Sequence, residues 1–344
     1  MKVKIYLLMG TFILLAGCTS AQMGIQAETP SNGSVDDSVL TWTIVPQNPM
    51  LSYVESVAYG NGKFIAVGRK GREVGPNRMA YSTDGITWTA TSVLSGYDFE
   101  IDNITFCGGR FFVSGWPGSM ASSIDGENWT VVVSNLREDF RGPVYGDGKW
   151  VFVTYEGRIM YSTDGVTWKN GVNRSSVSQF TGVGYGGGKF VATSWSGGKM
   201  AYSTDGITWT VVPEVYGTGP IRGIAYGDGK FVVGGWGRIF YSADGVTWTE
   251  VMFSEGSTFY DSPVLHICYG GGKFVATGDG NRMAYSTDGI TWTGATFDLF
   301  SGEANVRGIV FGNARFVAVG MSLKEWGGWR TTDDGRIVYS NMQE

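Results

Sequence analysis

Arg78-Met79-Ala80-Tyr81-Ser82-Thr83-Asp84-Gly85-Ile86-Thr87-Trp88 is the stretch that decides the fold, because its Ser-to-Trp half returns at Ser123–Trp129, Ser162–Trp168, Ser203–Trp209, Ser242–Trp248 and Ser286–Trp292. Counted from Trp42, the seven tryptophans that mark the period are 46, 41, 39, 41, 39 and 44 residues apart. Self-similarity at about forty residues marks an array of supersecondary units. Each unit opens with a short apolar strand, A, ending at Tyr59, Phe106, Tyr145, Tyr185, Tyr226, Tyr269 or Phe311. A pair such as Asn61-Gly62, Asp147-Gly148 or Gly271-Gly272 follows directly. These pairs supply the positive φ of a two-residue hairpin, so the next run, Phe64-Ile65-Ala66-Val67-Gly68 and its equivalents, is an antiparallel strand B. Strand C is Arg78–Ser82, and strand D begins at the Trp. Four short strands per forty residues is the period of a propeller blade. With 54 glycines, abundant β-branched and aromatic residues and no apolar period of 3.6, the chain reads as all-β.

Counting units gives the closure. Six have a complete C-to-D turn. A seventh starts at Val306, reaches strand C at Arg336-Ile337-Val338-Tyr339-Ser340 and lacks its Trp. The missing outer strand stands at the other end of the chain, in Leu40-Thr41-Trp42-Thr43-Ile44-Val45. The sequence therefore predicts a single seven-bladed β-propeller of four-stranded antiparallel blades over 39–344, whose last blade is closed by the N-terminal strand, leaving no open edge.

Ser82-Thr83-Asp84-Gly85-Ile86-Thr87-Trp88 resembles the Asp-box of sialidase-like propellers, one residue short between Ser and Trp. That superfamily includes sialidases, other glycosidases, sorting receptors and photosystem II assembly factors, so the resemblance implies a fold and not an activity. It also implies that the boxes lie on the face away from a ligand. Asp84, Asp125, Asp164, Asp205, Asp244 and Asp288 are accordingly assigned to folding, as acceptors of backbone N–H groups in an Asx-type turn.

The chain begins with basic Met1-Lys2-Val3-Lys4, continues with an apolar run from Ile5 to Leu15 and reaches Leu15-Ala16-Gly17-Cys18. This reads as a signal peptide over 1–17, too short to span a membrane. Its end resembles the lipobox of bacterial lipoproteins, which implies lipidation at Cys18 and export to the cell envelope. Thr19, by the same resemblance, points to the outer membrane of a diderm cell. Small and polar residues over 18–38 read as a tether. Loss of Lys2 and Lys4 leaves 24 basic against 31 acidic residues, a net charge of −7 that argues against a nucleic-acid partner. Cys107 and Cys268 fall on blades two and six, too far apart for a disulfide.

If the A-to-B and C-to-D turns share one face, the B-to-C and D-to-A connections form the other. The first face is repetitive and carries one basic residue per blade: Lys63, Arg110, Lys149, Lys189, Lys230, Lys273 and Arg315, read as a solvated rim. The second varies, which is where binding loops concentrate. Its B-to-C connections include Gly68–Asn77, a long loop at Met321–Gly335, and short turns holding Trp116, Tyr155, Trp195 and Trp236 at matching positions, with Trp326 and Trp329 in the long loop. An exposed arc of these rings suits a protein or a glycan. Packing of the same rings between blades is the competing reading.

Four residues before each strand-A aromatic stand Glu55, Asp102, Arg141, Thr181, Arg222, Leu265 and Arg307, near the mouth of the central channel on the variable face. The arginines are similar to the sialidase cluster that holds a carboxylate. Phe140-Arg141-Gly142-Pro143 approaches the sialidase Phe-Arg-Ile-Pro motif, yet Ile221-Arg222-Gly223-Ile224 and Val306-Arg307-Gly308-Ile309 show Arg141 at an ordinary repeat position. No Tyr and Glu pair is assignable as nucleophile and partner. His266 is the single histidine and reads, with Cys268 two residues on, as a packed core pair, so no metal site or cofactor is expected. Two functions remain open. One is a non-enzymatic, monomeric envelope scaffold that binds a protein or carbohydrate through Trp116, Tyr155, Trp195, Trp236, Arg141, Arg222 and Arg307. The other is a sialidase-like hydrolase built on Glu55 and Asp102.

Overall fold

A computed structural model describes residues 40–49, 54–68, 79–91, 99–173, 176–212, 219–253, 256–295, 303–326 and 329–341. The signal, Cys18 and tether readings lie outside the described residues, as do Arg78 and most of the Gly68–Asn77 connection; the side chains of Trp326 and Trp329 are likewise outside them.

Among the described residues there is no helix, and the strands form seven sheets, six built on four consecutive antiparallel strands and the seventh on the last three strands and the first. Blade one runs Ser56–Gly60, Lys63–Val67, Met79–Ser82 and Thr89–Thr91; the blade-five strands are Ile224–Gly227, Lys230–Gly234, Arg238–Ser242 and Thr249–Met252. The turn chemistry is as expected: Asn61 and Gly62 have φ of 49° and 74°, and Asn313 and Ala314 have 46° and 54°. Thr41–Ile44 is the outer strand of blade seven, pairing Thr41 with Asn341 and Ile44 with Val338. Val45 N–H extends the ladder to Ile337 O at 2.9 Å, and Leu40 and Val45 are both buried.

The core is divided among the blade interfaces, as expected where sheets stack face to face. In one interface Ile65 and Met79 of blade one meet Ile104, Phe106 and Phe111 of blade two. Within each blade the strand-A aromatic leans on the first aromatic of strand B; the Tyr59–Phe64 and Tyr185–Phe190 centroids are both 4.5 Å apart. The glycine that follows a strand-A aromatic is where the next blade docks. A Cβ on Gly227 would stand 2.0 Å from Cγ of Tyr269, and one on Gly312 2.1 Å from Cγ of Tyr59, which carries the contact around the closure.

Two features depart from the sequence expectation. Met321–Gly335 is not a long loop: strands Arg315–Trp326 and Trp329–Asn341 continue as a ribbon, with Leu323 opposite Thr332 and Trp326 opposite Trp329. The inner strand begins at Glu303, opposite Leu323, so that a third strand supports it. Gly327-Gly328, the same hairpin pair used elsewhere, was the available signal. Blade four also gains a fifth strand, Val172–Asn173, parallel to Thr208 and Trp209. It covers the outer edge of that blade, and Trp209 is fully buried beneath it.

Candidate functional site

The repetitive face is occupied by its own folding. In blade one the Ser82 hydroxyl donates to Asp84 Oδ1 at 2.9 Å and accepts from Gly85 N–H at 2.8 Å. The same Oδ1 accepts from Ile86 N–H and Thr87 N–H at 2.8 and 2.7 Å. The arrangement repeats at Asp164, Asp205, Asp244 and Asp288, and at Asp125 with an added bond from the Asn128 amide. Trp88, Trp129, Trp209 and Trp292 close the turn by donating Nε1–H to the glycine carbonyl of the box. Lys63 reaches the neighbouring blade, pairing with Glu127 at 2.5 Å, and Lys149 and Lys230 pair with Asp147 and Asp228 of their own hairpins. At these positions the basic rim residues are latches.

All six box carboxyls are held below the ordinary carboxylate range. For Asp84, burial alone would raise the carboxyl; the bonds from Thr87, Ile86 and Ser82 together outweigh it and bring it to about 2. The Thr247 N–H bond leads the same effect at Asp244, also at about 2. A depressed folded-state value means that the stabilisation is fully present above the unfolded value of 3.8 and is lost as pH falls through the folded one. The urea midpoint is therefore expected to hold steady from neutrality down to about pH 4.5 and to fall progressively toward pH 2, with a shallower fall in Asp244→Asn. A midpoint that rises on acidification would contradict this.

The variable face is different. Glu55, Asp102, Arg141, Thr181, Leu265 and Arg307 are all buried, at matching positions in or just before the inner strand of each blade, and Arg222 is half-buried. Burial pushes the Arg222 guanidinium down; Asp279 offsets this, while Arg141 and Arg307 push it further down. Arg141 of blade three and Arg307 of blade seven thus act on Arg222 of blade five although more than eighty residues separate each from it in sequence. Burial also lowers Arg141, against the carboxylates of Asp139, Asp102 and Glu156. Arg222 lies over the Trp195 ring, 4.4 Å from guanidinium carbon to centroid, and its Nε is buried without a hydrogen-bond partner. The Arg222 guanidinium thus keeps unspent hydrogen-bonding capacity at a half-buried position of this face.

Trp116 and Trp236 are each 54 % exposed and face solvent, whereas Trp195, 37 % exposed, carries Arg222 of the next blade on its ring. Tyr155 is half-buried, and its hydroxyl accepts from Gln179 Nε2 at 3.1 Å. Three of the basic residues that open strand C are ion-paired: Arg158 to Glu138 at 2.7 Å, Arg238 to Glu250 at 2.6 Å and Arg282 to Asp261 at 3.2 Å. His266 and Cys268 are buried on the inner strand of blade six, and Cys107 and Cys268 are free thiols. Among the described residues no group of three or more His, Cys, Asp or Glu is gathered as a metal site would require.

No protein-family model and no curated protein matches the sequence. Solved structures do match the fold. YCF48 from Cyanidioschyzon merolae is similar over 87 % of this chain and 98 % of its own, with 19 % identity and a TM-score of 0.63. A structure of YCF48 bound to D1 peptide covers 90 % of this chain and 99 % of its own at 16 % identity, with a TM-score of 0.64. A catalytically inactive virginiamycin B lyase from Staphylococcus aureus, with quinupristin, covers 88 % of this chain and 100 % of its own, at 13 % identity and a TM-score of 0.69. A peptide-binding protein and a lyase on one architecture establish the propeller and leave activity to the site.

Proposed function

We propose that the chain is a lipid-anchored, non-enzymatic scaffold of the Asp-box propeller type, which binds an anionic polypeptide segment on its variable face. The observation that carries this reading is Arg222, stacked on the exposed Trp195 and reinforced by the charges of Arg141 and Arg307. Stacking fixes the guanidinium plane before a ligand arrives, which lowers the ordering cost of a bidentate contact. That one similar propeller is solved with a peptide favours a protein ligand over a glycan. Cys18, at the end of its lipobox-like run, supplies the anchor.

The test uses acidic dodecapeptides on the full chain. Arg222→Ala is expected to weaken binding at least about tenfold, the scale of one charge-assisted hydrogen bond, and Trp195→Ala by less. Cys18→Ser keeps the affinity and leaves the membrane fraction. Turnover of fluorogenic glycosides that Glu55→Gln abolishes would instead establish the hydrolase reading.

A further inference from the structure

Three of the five most exposed large apolar side chains among the described residues fall in one place: Met252 at 68 %, Trp236 at 54 % and Tyr260 at 51 %. They come from three segments around blade five: the end of its outer strand, its B-to-C turn, and its connection to blade six. The backbone brings them together. Arg238 lies opposite Met252 in the ladder, Phe253 N–H donates to Gly237 O at 3.2 Å, and Gly237 N–H donates to Ser262 O at 3.1 Å. Gly237 has a φ of 66°, and a Cβ there would stand 2.7 Å from Tyr260 O. Trp236 bridges Pro263, and Val264 N–H donates to Gly235 O at 2.9 Å. Phe253 and Phe259 lie in the core beside this, their rings 5.3 Å apart.

The result is a platform whose backbone is fixed on both sides while its side chains face water. Contiguous exposed apolar groups on a rigid support are the mark of an interface, since little remains to be ordered on binding. The charges around it are already answered: Arg238 pairs with Glu250 and also donates Nε–H to Trp236 O, and Arg282 pairs with Asp261. Among the described residues these charged groups are paired with one another. Thioether and aromatic contacts suit the apolar side chains of a polypeptide. The platform also adjoins the arginine site: a Cβ on Gly219 would lie 3.9 Å from Trp236 Cβ, and Arg222 follows three residues on.

We propose that Trp236, Met252 and Tyr260 dock the large apolar residues of a polypeptide whose acidic group meets Arg222, an inference that rests on the peptide reading above. Random dodecapeptides displayed on phage are selected against the full chain, and a recovered peptide is synthesised for titration. The expected peptides carry aliphatic or aromatic residues within a few positions of Asp or Glu. Trp236→Ala and Met252→Gln, with unchanged unfolding temperatures, weaken the synthetic peptide at least tenfold and fivefold, and Trp236→Phe keeps most of the affinity. Arg222→Ala relaxes the demand for the acid but keeps that for the apolar residues. Equal binding by the Trp236 and Met252 variants, with loss in Arg222→Ala, overturns the platform alone. Failure to enrich any peptide overturns both readings, as does glycan-array binding that needs Trp236. A dimer in sedimentation that Trp236→Ala dissociates gives the platform to a second copy and overturns the proposal.

Discussion

Gly227→Ala lowers the unfolding temperature by about 6–9 °C, whereas Gly229→Ala, two residues away in the same hairpin, lowers it by about 2–3 °C. The substitution is identical, and the surroundings decide the difference. Gly229 has a φ of 72° and nothing within 4 Å of an added Cβ, so an alanine there meets only left-handed backbone strain of about 1 kcal/mol. At Gly227 the added Cβ would lie 2.0 Å from Cγ of Tyr269, whose ring is held against Phe274 at a centroid distance of 4.5 Å. Either the ring leaves that contact or blades five and six separate, an overpacking cost of about 3 kcal/mol. Equal losses in the two variants, measured by thermal unfolding, would show that the glycine serves its turn and not the interface.

The same comparison explains the one blade that breaks the rule. Six blades put glycine after the strand-A aromatic, and blade two has Cys107. There Gly108 takes the close approach: a Cβ on it would meet the Tyr145 ring at 2.7 Å and Trp150 at 2.8 Å. Trp150, where other blades have Phe, donates Nε1–H to Cys107 O at 3.0 Å. Tyr145 is displaced outward and is 40 % exposed, while its counterparts are half-buried or buried. Burial pushes the Cys107 thiol well up, so at this interface it is a small apolar residue.

The blades, their hairpins and the chain-end closure were legible because each rests on local signals that repeat: an aromatic, a positive-φ pair, a Ser-to-Trp turn. The missing seventh Trp located the closure. The ring of glycines was not legible, since the reason for Gly60 or Gly227 lies on the next blade, some forty residues away. Arg141, Arg222 and Arg307 were picked from the sequence as one set, but the stacking of Arg222 on Trp195 was not legible, since it joins side chains of two different blades. Trp236 was singled out from its repeat position, but Val172–Asn173 and the approach of Met252 and Tyr260 to Trp236 had no signal, because they depend on connections that do not repeat. The ribbon at Met321–Trp326 was misread through its variable composition.

A chain that begins at Pro46 is expected to unfold at least about 10 °C below one that begins at Val39, and to aggregate at lower concentration. Leu40 and Val45 are buried, and Trp42 packs against the core beside Leu40 and Val338. Burying such side chains contributes about 1.5–3 kcal/mol each, so losing three removes about 5 kcal/mol, comparable with the lower end of a whole domain's stability. The cost exceeds that of a frayed end for a topological reason. Without Thr41–Ile44 the strand Trp329–Asn341 becomes an open edge, and the first and last blades lose the strand that ties the two ends of the chain together. The complementary test strengthens the clasp. Thr41 and Asn341 are register partners, and a directly opposed antiparallel pair falls within disulfide reach. Thr41→Cys with Asn341→Cys is expected to gain about 2–4 kcal/mol on oxidation and to lose it on reduction. A truncated chain as stable as the longer one, or an oxidised pair with no gain, would mean that the ring is held by its blade interfaces alone, with the pairing of its ends incidental.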